Sequence, residues 1–299
     1  MNDIERALAV LRAGGLVAIP TETVYGLAAD ASNADAVRRI YAVKGRPVDH
    51  PLIVHVAAAE LLGEWAVTIP PAAAVLADAC WPGPLTLLVP RSARVIDEVT
   101  GGRTTVGVRA PAHPLTLDLL TRFGGGLAAP SANRFGRVSP TTADHVRADL
   151  GDDVDFVLDG GACPIGVEST IVDCTVDPPQ VLRPGGISAE EISALLDMKL
   201  GEAGGPSRAP GMLASHYAPR CRVLLADSIA EARSLAEVMP GSEIIHDDDL
   251  AHYAHSLFSR LRDADDRGVT TLIAVLPPAA GLGHAIRDRL TKAAASTPR

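Results

Sequence analysis

Residues 19–56 read IPTETVYGLAADASNADAVRRIYAVKGRPVDHPLIVHV. The apolar run LVAIP leads into this stretch and PLIVHV closes it, and apolar runs of this length bounded by Pro and Gly are typical of buried strands. Between the two runs lie a Thr-Glu-Thr turn and a short helix that ends near Lys44-Gly45-Arg46. Because ligands bind at strand ends in open α/β sheets, the polar residues gathered here predict a binding site.

The composition restricts the class of protein. The chain has 299 residues, which predicts one large domain or two smaller ones, and its 47% apolar and 21% charged residues are ordinary for a globular protein. The formal net charge of −9 argues against a large nucleic-acid surface, since a tight binder of the phosphate backbone normally carries a basic face. We therefore expect no strong direct binding of nucleic acid.

Targeting and redox features predict a cytoplasmic location. The N-terminal sequence MNDIERALAVLRAGG predicts an amphipathic helix capped by Asp3 rather than a signal peptide. No apolar run approaches the roughly 20 residues of a membrane span. Four cysteines are scattered without CxxC spacing, which is typical of reduced core thiols: Cys80, Cys163, Cys174 and Cys221. The sequence thus predicts a soluble cytoplasmic α/β protein that is not bound to a membrane.

The sequence pattern divides the whole chain into three segments. Residues 1–200 alternate predicted strands and helices, and Ser188 with Glu191 is a capping-box signature for a helix over 189–197. Residues 201–219 are rich in Gly, Pro and Ser, which predicts a linker. Residues 220–299 again alternate strand and helix and predict a small parallel-sheet domain of their own.

The basic pair Lys44 and Arg46 has two interpretations. Side chains on a tight turn can converge on one anion, the lysine as a point charge and the arginine as a planar fork. When the pair is taken alone, a solvated basic turn is the favoured interpretation. His50 and His55 in the same stretch also have two interpretations. Both could belong to a site, or one imidazole could be packed in the core and the other could lie at the surface.

Further polar groups follow other predicted strands. Ser131-Ala132-Asn133 comes directly after a short apolar strand and offers hydroxyl, amide and backbone donors, although an Asx or Ser turn needs no function. Glu168-Ser169-Thr170 precedes the run IVD. Arg109 and Arg183 both end apolar strands, where a site would lie. Together these groups predict a cationic, hydroxyl-rich cleft for a small polyanion and a polar cosubstrate.

Seven short motifs, in order and rough spacing, resemble the YrdC-domain family: PTETVYGL, KGRP with a following PLIVH, WPGPLT, VRAPAHP, APSAN, GVESTIVD and LRPG. The APGM…HYAP linker and the small last domain are similar to the long, two-domain threonylcarbamoyl-AMP synthases of that family. The resemblance implies a twisted open mixed α/β sheet with a deep cationic cavity, plus a small Rossmann-like α/β domain at the C-terminal end.

The resemblance also implies an activity. L-Threonine, bicarbonate and ATP would give threonylcarbamoyl-adenylate and pyrophosphate, and a separate transferase complex would use the adenylate to modify tRNAs that read ANN codons. Such a site must gather several anions, so fixed cations and positioned donors would carry most of the catalysis. Mg²⁺ is expected with ATP, held mainly by phosphates and water, because no dedicated carboxylate cage is evident.

Motif positions imply roles for single residues. Lys44 and Arg46 are expected to be the catalytic cations. The residues expected to bind threonine are Thr23, His55, Arg109, the backbone of Ala129, and Ser169. The residues expected to bind ATP are Arg46, His50, Thr105, Ser131, Asn133, Ser139 and Arg183, with His216 and Tyr217 of the linker closing over the nucleotide.

The pattern departs from the family at Leu213-Ala214-Ser215, where the family usually has aromatic and basic residues, and the last domain, about 80 residues, looks shorter than usual. Two other functions compete with synthesis of the adenylate. One is the carbamoyl-adenylate chemistry of hydrogenase-maturation proteins, whose acylphosphatase and zinc-finger modules have no counterpart in this sequence. The other is an RNA-binding module, which the net charge of −9 and the scarcity of aromatic residues disfavour.

Overall fold

A computed structural model describes residues 2–202, 204, 210 and 216–295. Twelve strands lie within these ranges: β1 Val17–Ile19, β2 Gly26–Asp30, β3 Ile53–His55, β4 Leu85–Pro90, β5 Thr105–Arg109, β6 Leu127–Ala128, β7 Phe156–Val157, β8 Thr170–Asp173, β9 Gln180–Arg183, β10 Arg222–Ala226, β11 Glu243–Ile245 and β12 Thr271–Val275. Eleven α-helices accompany them: α1 Asp3–Arg12, α2 Ala34–Lys44, α3 Leu62–Trp65, α4 Pro71–Cys80, α5 Asp97–Thr100, α6 Pro114–Phe123, α7 Ala143–Leu150, α8 Ala189–Leu196, α9 Ile229–Glu237, α10 Leu250–Asp266 and α11 Leu282–Ala295.

The first nine strands form one mixed sheet in the order β7-β1-β2-β6-β3-β5-β4-β8-β9. β5 runs antiparallel to β4, β4 runs parallel to β8, and β8 runs antiparallel to β9. The C-terminal ends of β5 and β9 therefore meet at one edge of the sheet, which brings Arg109 and Arg183 to the same region. His55 ends β3 beside Arg109, its direct partner in the parallel pair β3–β5.

The last three strands form a separate parallel sheet in the order β10-β12-β11, with α9, α10 and α11 around it. This confirms the predicted mixed sheet followed by a small parallel α/β unit. Below, we call residues 2–202 the first unit and residues 216–295 the C-terminal unit. The unit is not packed independently, because Val24, Val138 and Val167 of the first unit belong to the same buried apolar cluster as Tyr253 and Leu257 of α10.

Several sequence predictions of local structure differ from the observed elements. The helix α1 is capped by Asn2, whose side chain accepts from the Glu5 N–H in a capping box, so the expected cap at Asp3 was wrong. β2 was not predicted, because its sequence GLAAD has none of the β-branched residues that mark a strand. The capping box of Ser188 and Glu191 is confirmed at the start of α8.

Most of the predicted linker, including Leu213-Ala214-Ser215, lies outside the described residues. Where the structure describes the chain, no helix is both long and apolar enough to cross a membrane.

Candidate active site

A cavity lies against the large sheet, beneath the His216-Tyr217 pair. It is lined by residues from most of the sheet and from the predicted linker: Thr21, Thr23, Val24, Gly26, Arg46, Ile53, His55, Arg109, Ala129, Pro130, Ser131, Glu168, Ser169, Arg183, Pro210, His216 and Tyr217. Three of these side chains are arginines and one is a carboxylate. The lining therefore carries a positive balance inside an acidic protein, as the sequence predicted.

The Thr-Glu-Thr turn after β1 forms one end of the cavity. Thr21 Oγ1 donates to the Val24 carbonyl at 2.6 Å and accepts from the backbone N–H groups of Thr23 and Val24, both at 3.2 Å. Its hydroxyl lies 2.8 Å from that of Thr23. The Thr21 side chain thus holds the turn closed, and Thr23 is presented to the cavity in one fixed orientation.

Arg109 is fixed from behind by a carboxylate. Its Nη2 donates to Glu22 Oε1 at 2.6 Å and its Nε donates to the Gly83 carbonyl at 3.2 Å. The other oxygen of Glu22 accepts from the Ala112 N–H at 3.0 Å. Both side chains of the ion pair are less than a tenth exposed. The guanidinium is therefore held in place before any ligand binds, which is the arrangement that gives a recognition fork its geometric selectivity.

Ser169 and Arg183 form one wall of the cavity. The Ser169 hydroxyl lies 2.8 Å from that of Thr86 and accepts from Arg183 Nη2 at 3.0 Å. The same guanidinium donates to the Ser169 carbonyl from Nε and Nη2, and its Nη1 reaches the Pro210 carbonyl at 3.3 Å. Burial lowers the pKa of Arg183, and an arginine remains cationic after such a shift.

Lys44 and Arg46 point to different places. Lys44 is the last residue of α2, and its Nζ donates to the carbonyls of Ser131 and Asn133 at 2.6 and 2.5 Å. Arg46 follows a left-handed Gly45 and lines the cavity, held by the carbonyls of His50 and Pro51. The pair therefore does not converge on one point in this structure. Arg46 faces the cavity, while Lys44 fixes the loop that carries Ser131.

Two histidines of the cavity are neutral. Burial, reinforced by the neighbouring Arg109, lowers the pKa of His55 to about 3. Burial also lowers the pKa of His216 to about 3. His216 Nδ1 is buried without a hydrogen-bond partner among the described residues. Neutral imidazoles add no further positive charge to the arginines around them.

Tyr217 has a positive φ of 62°. For a bulky residue this conformation costs on the order of 1–3 kcal/mol and persists only where the surroundings determine it. Its ring stacks on Phe258 of α10 with the centroids 5.5 Å apart, and the following Ala218 N–H donates to the Gly136 carbonyl at 2.8 Å. Contacts with both units hold the His216-Tyr217 pair over the cavity.

The donor set does not form a resident metal site. Within the described ranges no three His, Cys, Asp or Glu residues are grouped to hold a metal ion. Glu168 in the lining and Glu22 behind Arg109 are each paired with an arginine, at 2.8 and 2.6 Å.

Comparison with known proteins decides the family. Residues 9–185 match the model of the Sua5/YciO/YrdC family, described as "Telomere recombination", and residues 187–295 match the model described as "Threonylcarbamoyl-AMP synthase, C-terminal domain". The chain belongs to the Sua5/YciO/YrdC family. It is 41% identical to the threonylcarbamoyl-AMP synthase of Pyrococcus abyssi over 97% of this chain and 93% of that protein, and 39% identical to that of Bacillus subtilis over 97% and 92%.

The family likeness extends to three dimensions. The crystal structure of P. abyssi Sua5 complexed with L-threonine superposes with a TM-score of 0.92 at 40% identity, covering 98% of this chain and 94% of that chain. The two family models meet near residue 186, before α8. In this member of the family, however, Ile192 of α8 is buried in the same apolar cluster as the first unit, so the packing boundary falls after α8.

Not every residue that the sequence assigned to the site reaches the cavity of this family member. The structure brings together Thr23, Arg46, His55, Arg109, Ala129, Ser131, Ser169, Arg183, His216 and Tyr217. Ser139 and Asn133 are buried behind the lining, Ser139 bonded to Glu168 and Asn133 to the carbonyls of Arg134 and Arg137. His50 lies at the edge, with its ring 5.4 Å from that of Phe135. Thr105 begins β5, four residues before Arg109 and outside the lining.

Sequence reasoning missed the groups that hold these residues. Glu22, Thr86, Glu168 and Arg289 all contact site residues, and none was singled out for a role. The position of Glu168 in the sequence could have indicated its role. It lies two residues before the apolar strand β8, and a buried carboxylate needs partners that compensate its charge. The partner itself, Arg289, is 121 residues away and has no local signature.

Gly185 lies so close to the backbone of Glu168 and Thr170 that a substitution there tests the wall formed by Ser169 and Arg183. A Cβ added at Gly185 would lie 2.3 Å from the Glu168 carbonyl oxygen and 2.4 Å from the Thr170 nitrogen, distances that real Cβ atoms do not adopt. We expect Gly185→Ala to lower the free energy of unfolding by about 1–3 kcal/mol and to displace Ser169. Urea unfolding measures the loss. Gly63→Ala in α3 is the control, since its nearest neighbour is 3.8 Å away, and equal effects would contradict the prediction.

The depressed histidine pKa values predict how stability depends on pH. In the unfolded chain both imidazoles protonate near their ordinary pKa of 6.5, whereas in the fold they stay neutral down to about 3. The unfolded state therefore binds more protons between these limits, and stability falls as the pH falls through that window. Each histidine contributes up to about 1.4 kcal/mol per pH unit. We expect His55→Gln to reduce this slope in urea unfolding, and an unchanged slope would refute the assignment.

Proposed function

We propose that this chain condenses L-threonine, bicarbonate and ATP into L-threonylcarbamoyl-AMP and pyrophosphate, and is therefore a nucleotidyltransferase. The observation that supports this most directly is the cavity itself. Fixed arginines at Arg46, Arg109 and Arg183 surround the hydroxyl groups of Thr23 and Ser169, in a chain 41% identical to a curated threonylcarbamoyl-AMP synthase over nearly its whole length.

The threonine end of the proposed site lies at Arg109. Its guanidinium is held by Glu22, so it offers its remaining N–H groups to a carboxylate without first having to order. Thr23, the neutral His55 and Ser169 line the same cavity, and we assign to them the polar contacts with the amine and hydroxyl of threonine. The related P. abyssi structure contains L-threonine, which supports placing an amino acid here.

The chemistry proceeds in two bond-forming steps. The threonine amine bonds to the carbon of bicarbonate, the bond from that carbon to its hydroxyl breaks, and the departing hydroxide takes a proton from the nitrogen and leaves as water, which yields a carbamate. If CO2 reacts instead, no bond to oxygen is lost and the proton passes to solvent. A carbamate oxygen then attacks the α-phosphorus of ATP, and the bond from that phosphorus to the leaving pyrophosphate breaks. Arg46 and Arg183 are placed to neutralise charge on the phosphates during this displacement. Mg²⁺ is part of the MgATP substrate, held by phosphates and water rather than by Glu22 or Glu168.

Closure over the site protects the product. A mixed carbamic–phosphoric anhydride hydrolyses readily, so a site that forms it must exclude water. Pro210, His216 and Tyr217 cover the cavity, and Pro210 is bonded directly to Arg183. We assign the product to a separate transferase complex that modifies tRNAs reading ANN codons, in the cytoplasm. Direct, strong binding of tRNA by this chain is not expected, given the net charge of −9.

The proposal is tested with labelled bicarbonate, threonine and MgATP. We expect pyrophosphate release that depends on threonine and a labelled adenylate that co-elutes with threonylcarbamoyl-AMP. The double variant Lys44→Ala/Arg46→Ala is the control, and an unaltered chain that makes no more product than this variant would refute the proposal. Tight, salt-sensitive binding of tRNA without any adenylate would instead support an RNA-binding module.

A further inference from the structure

Arg289 of α11 is buried between the C-terminal unit and the wall of the cavity. Its side chain has no solvent exposure. Its Nε donates to Glu168 Oε2 at 2.8 Å, and its Nη1 donates to the Pro184 carbonyl at 2.9 Å. Glu168 lines the cavity, and Pro184 directly follows Arg183. One side chain of the C-terminal unit therefore contacts the segment that leads into β8 and the residue that follows β9.

The same guanidinium contacts the cover of the cavity. Its Cζ lies 5.2 Å from the centroid of the Tyr217 ring, within the range of a cation–π interaction. Its Nη2 is buried and has no hydrogen-bond partner within the described ranges, so the aromatic ring is the electrostatic contact on that side. The neighbouring turn of α11 also holds His216, whose backbone N–H points to the Lys292 carbonyl at 3.5 Å.

Glu168 links Arg289 to Ser139. Its second oxygen, Oε1, accepts from Ser139 Oγ at 2.6 Å, and both residues are buried. The charged and titratable groups that face Glu168 are Arg289 of α11, Arg183 of β9, and His216 and Tyr217 above it. Asp288 pairs with Arg289 Nη1 at 2.7 Å on the far side. Burial alone would raise the pKa of Glu168, but Arg289, Arg183 and Ser139 together keep it below its ordinary value.

We propose that Arg289 is a positioning residue of the nucleotide side of the cavity: through its ion pair with Glu168 it fixes Ser139, and through its contact with the Tyr217 ring it fixes the His216-Tyr217 pair. The C-terminal unit thereby completes a cavity whose lining from the large sheet belongs to the first unit. This inference rests on the proposed function for its kinetic consequence, whereas the ion pair itself can be tested without any turnover.

The ion pair is tested by stability as a function of pH. In Arg289→Met the Glu168 carboxyl keeps its burial and loses its closest cation, so its pKa rises in the fold. The folded state then binds more protons than the unfolded state above about pH 4.5, and stability falls as the pH rises. We expect the loss of stability relative to the unaltered chain to grow between about pH 5 and about pH 7.5. In Glu168→Gln/Arg289→Met this growth should vanish, and an equal, pH-independent loss in both variants would overturn the ion-pair assignment.

The positioning role is tested by separating the two substrates. At about pH 7.5 we expect Arg289→Met to raise the KM for ATP about 30-fold, with a much smaller change for threonine, because Arg109 is held separately by Glu22 and Gly83. Arg289→Lys keeps the cation near Glu168 and should restore part of the ATP affinity. Glu168→Gln/Arg289→Met should recover stability but retain the raised KM, since Tyr217 still lacks its partner.

Three results would overturn the proposal. They are equal changes in the KM for ATP and for threonine, a fall in kcat alone that tracks the folded fraction, and full recovery of the KM for ATP in the double variant. An unaltered chain that releases no threonine-dependent pyrophosphate would count against the proposed function instead. The pH dependence of stability would then still decide whether Arg289 holds Glu168.

Discussion

Replacing Arg109 by alanine is expected to raise the KM for threonine about 100-fold while the KM for ATP changes less than about threefold, because charge-assisted hydrogen bonds contribute about 1.5–3 kcal/mol each. Arg109 is less than a tenth exposed and is already bonded to Glu22 and Gly83. Only its remaining N–H groups are offered to the cavity. Steady-state kinetics with each substrate varied in turn measures the split.

The same substitution also removes the partner of a buried carboxylate. Among the described residues, the Glu22 carboxylate would keep the Ala112 N–H as its partner, and breaking a buried ion pair typically costs about 3–5 kcal/mol of stability. A variant that binds threonine poorly because it is partly unfolded has to be separated from one that lacks the recognition group. Glu22→Gln/Arg109→Ala is the matched control, since the neutral amide needs no cation.

The double variant should recover most of the stability and none of the threonine affinity. If it recovers the threonine affinity as well, or if the KM for ATP rises as far as that for threonine, Arg109 does not bind the carboxylate of the amino acid.

The second large effect is expected at Lys44. Lys44→Met removes the two short bonds to the Ser131 and Asn133 carbonyls and leaves both without that donor. We expect stability to fall by about 3 kcal/mol and kcat/KM for ATP to fall about 100-fold, because the loop that carries Ser131 loses its anchor. Burial lowers the pKa of the Lys44 ammonium, which fits an amine held among backbone carbonyls rather than one exposed to solvent.

Hydrogen exchange distinguishes anchoring from direct catalysis. The Phe135 N–H donates to the Lys44 carbonyl at 2.7 Å, so its exchange reports on the contact between the loop and α2. We expect faster exchange at Phe135 in Lys44→Met and unchanged exchange in Arg183→Met, the control that removes a cavity cation whose hydrogen bonds go to Ser169 and Pro210 rather than to the loop. Wild-type exchange in Lys44→Met together with a lost kcat would instead support the catalytic role that the sequence pattern suggests.

Local patterns were enough to predict most of the architecture. The alternation of apolar runs and amphipathic helices over residues 220–299 predicted the small parallel sheet, which the structure begins with β10 at Arg222–Ala226 and α9 at Ile229. β2 was missed because its pairing with β1 and β6, rather than the propensity of its own residues, makes it a strand.

For the candidate site, the sequence predicted residues that line the cavity but not the residues that orient them. Arg109 and Arg183 were found because each ends an apolar strand, a position that the chain itself reveals. The residues that orient them depend on sheet order, which brings Glu22 to Arg109 across 87 positions. Lys44 shows the limit most clearly, since only the path of the loop at Ser131–Asn133 determines that its amine turns away from Arg46.

The shared apolar cluster has a consequence for how the molecule comes apart. Val24, Val138 and Val167 are packed among side chains of α10 and α11, so loosening the C-terminal unit uncovers apolar surface at the back of the Thr-Glu-Thr turn. The C-terminal unit shares its main apolar cluster with these valines, whereas the first unit also holds a large apolar cluster of its own. Arg289 likewise has one carboxylate partner in the first unit, Glu168, and one beside it in α11, Asp288. Heat that releases the C-terminal unit should therefore expose the back of the Thr-Glu-Thr turn, and the cavity should lose its cover in the same transition.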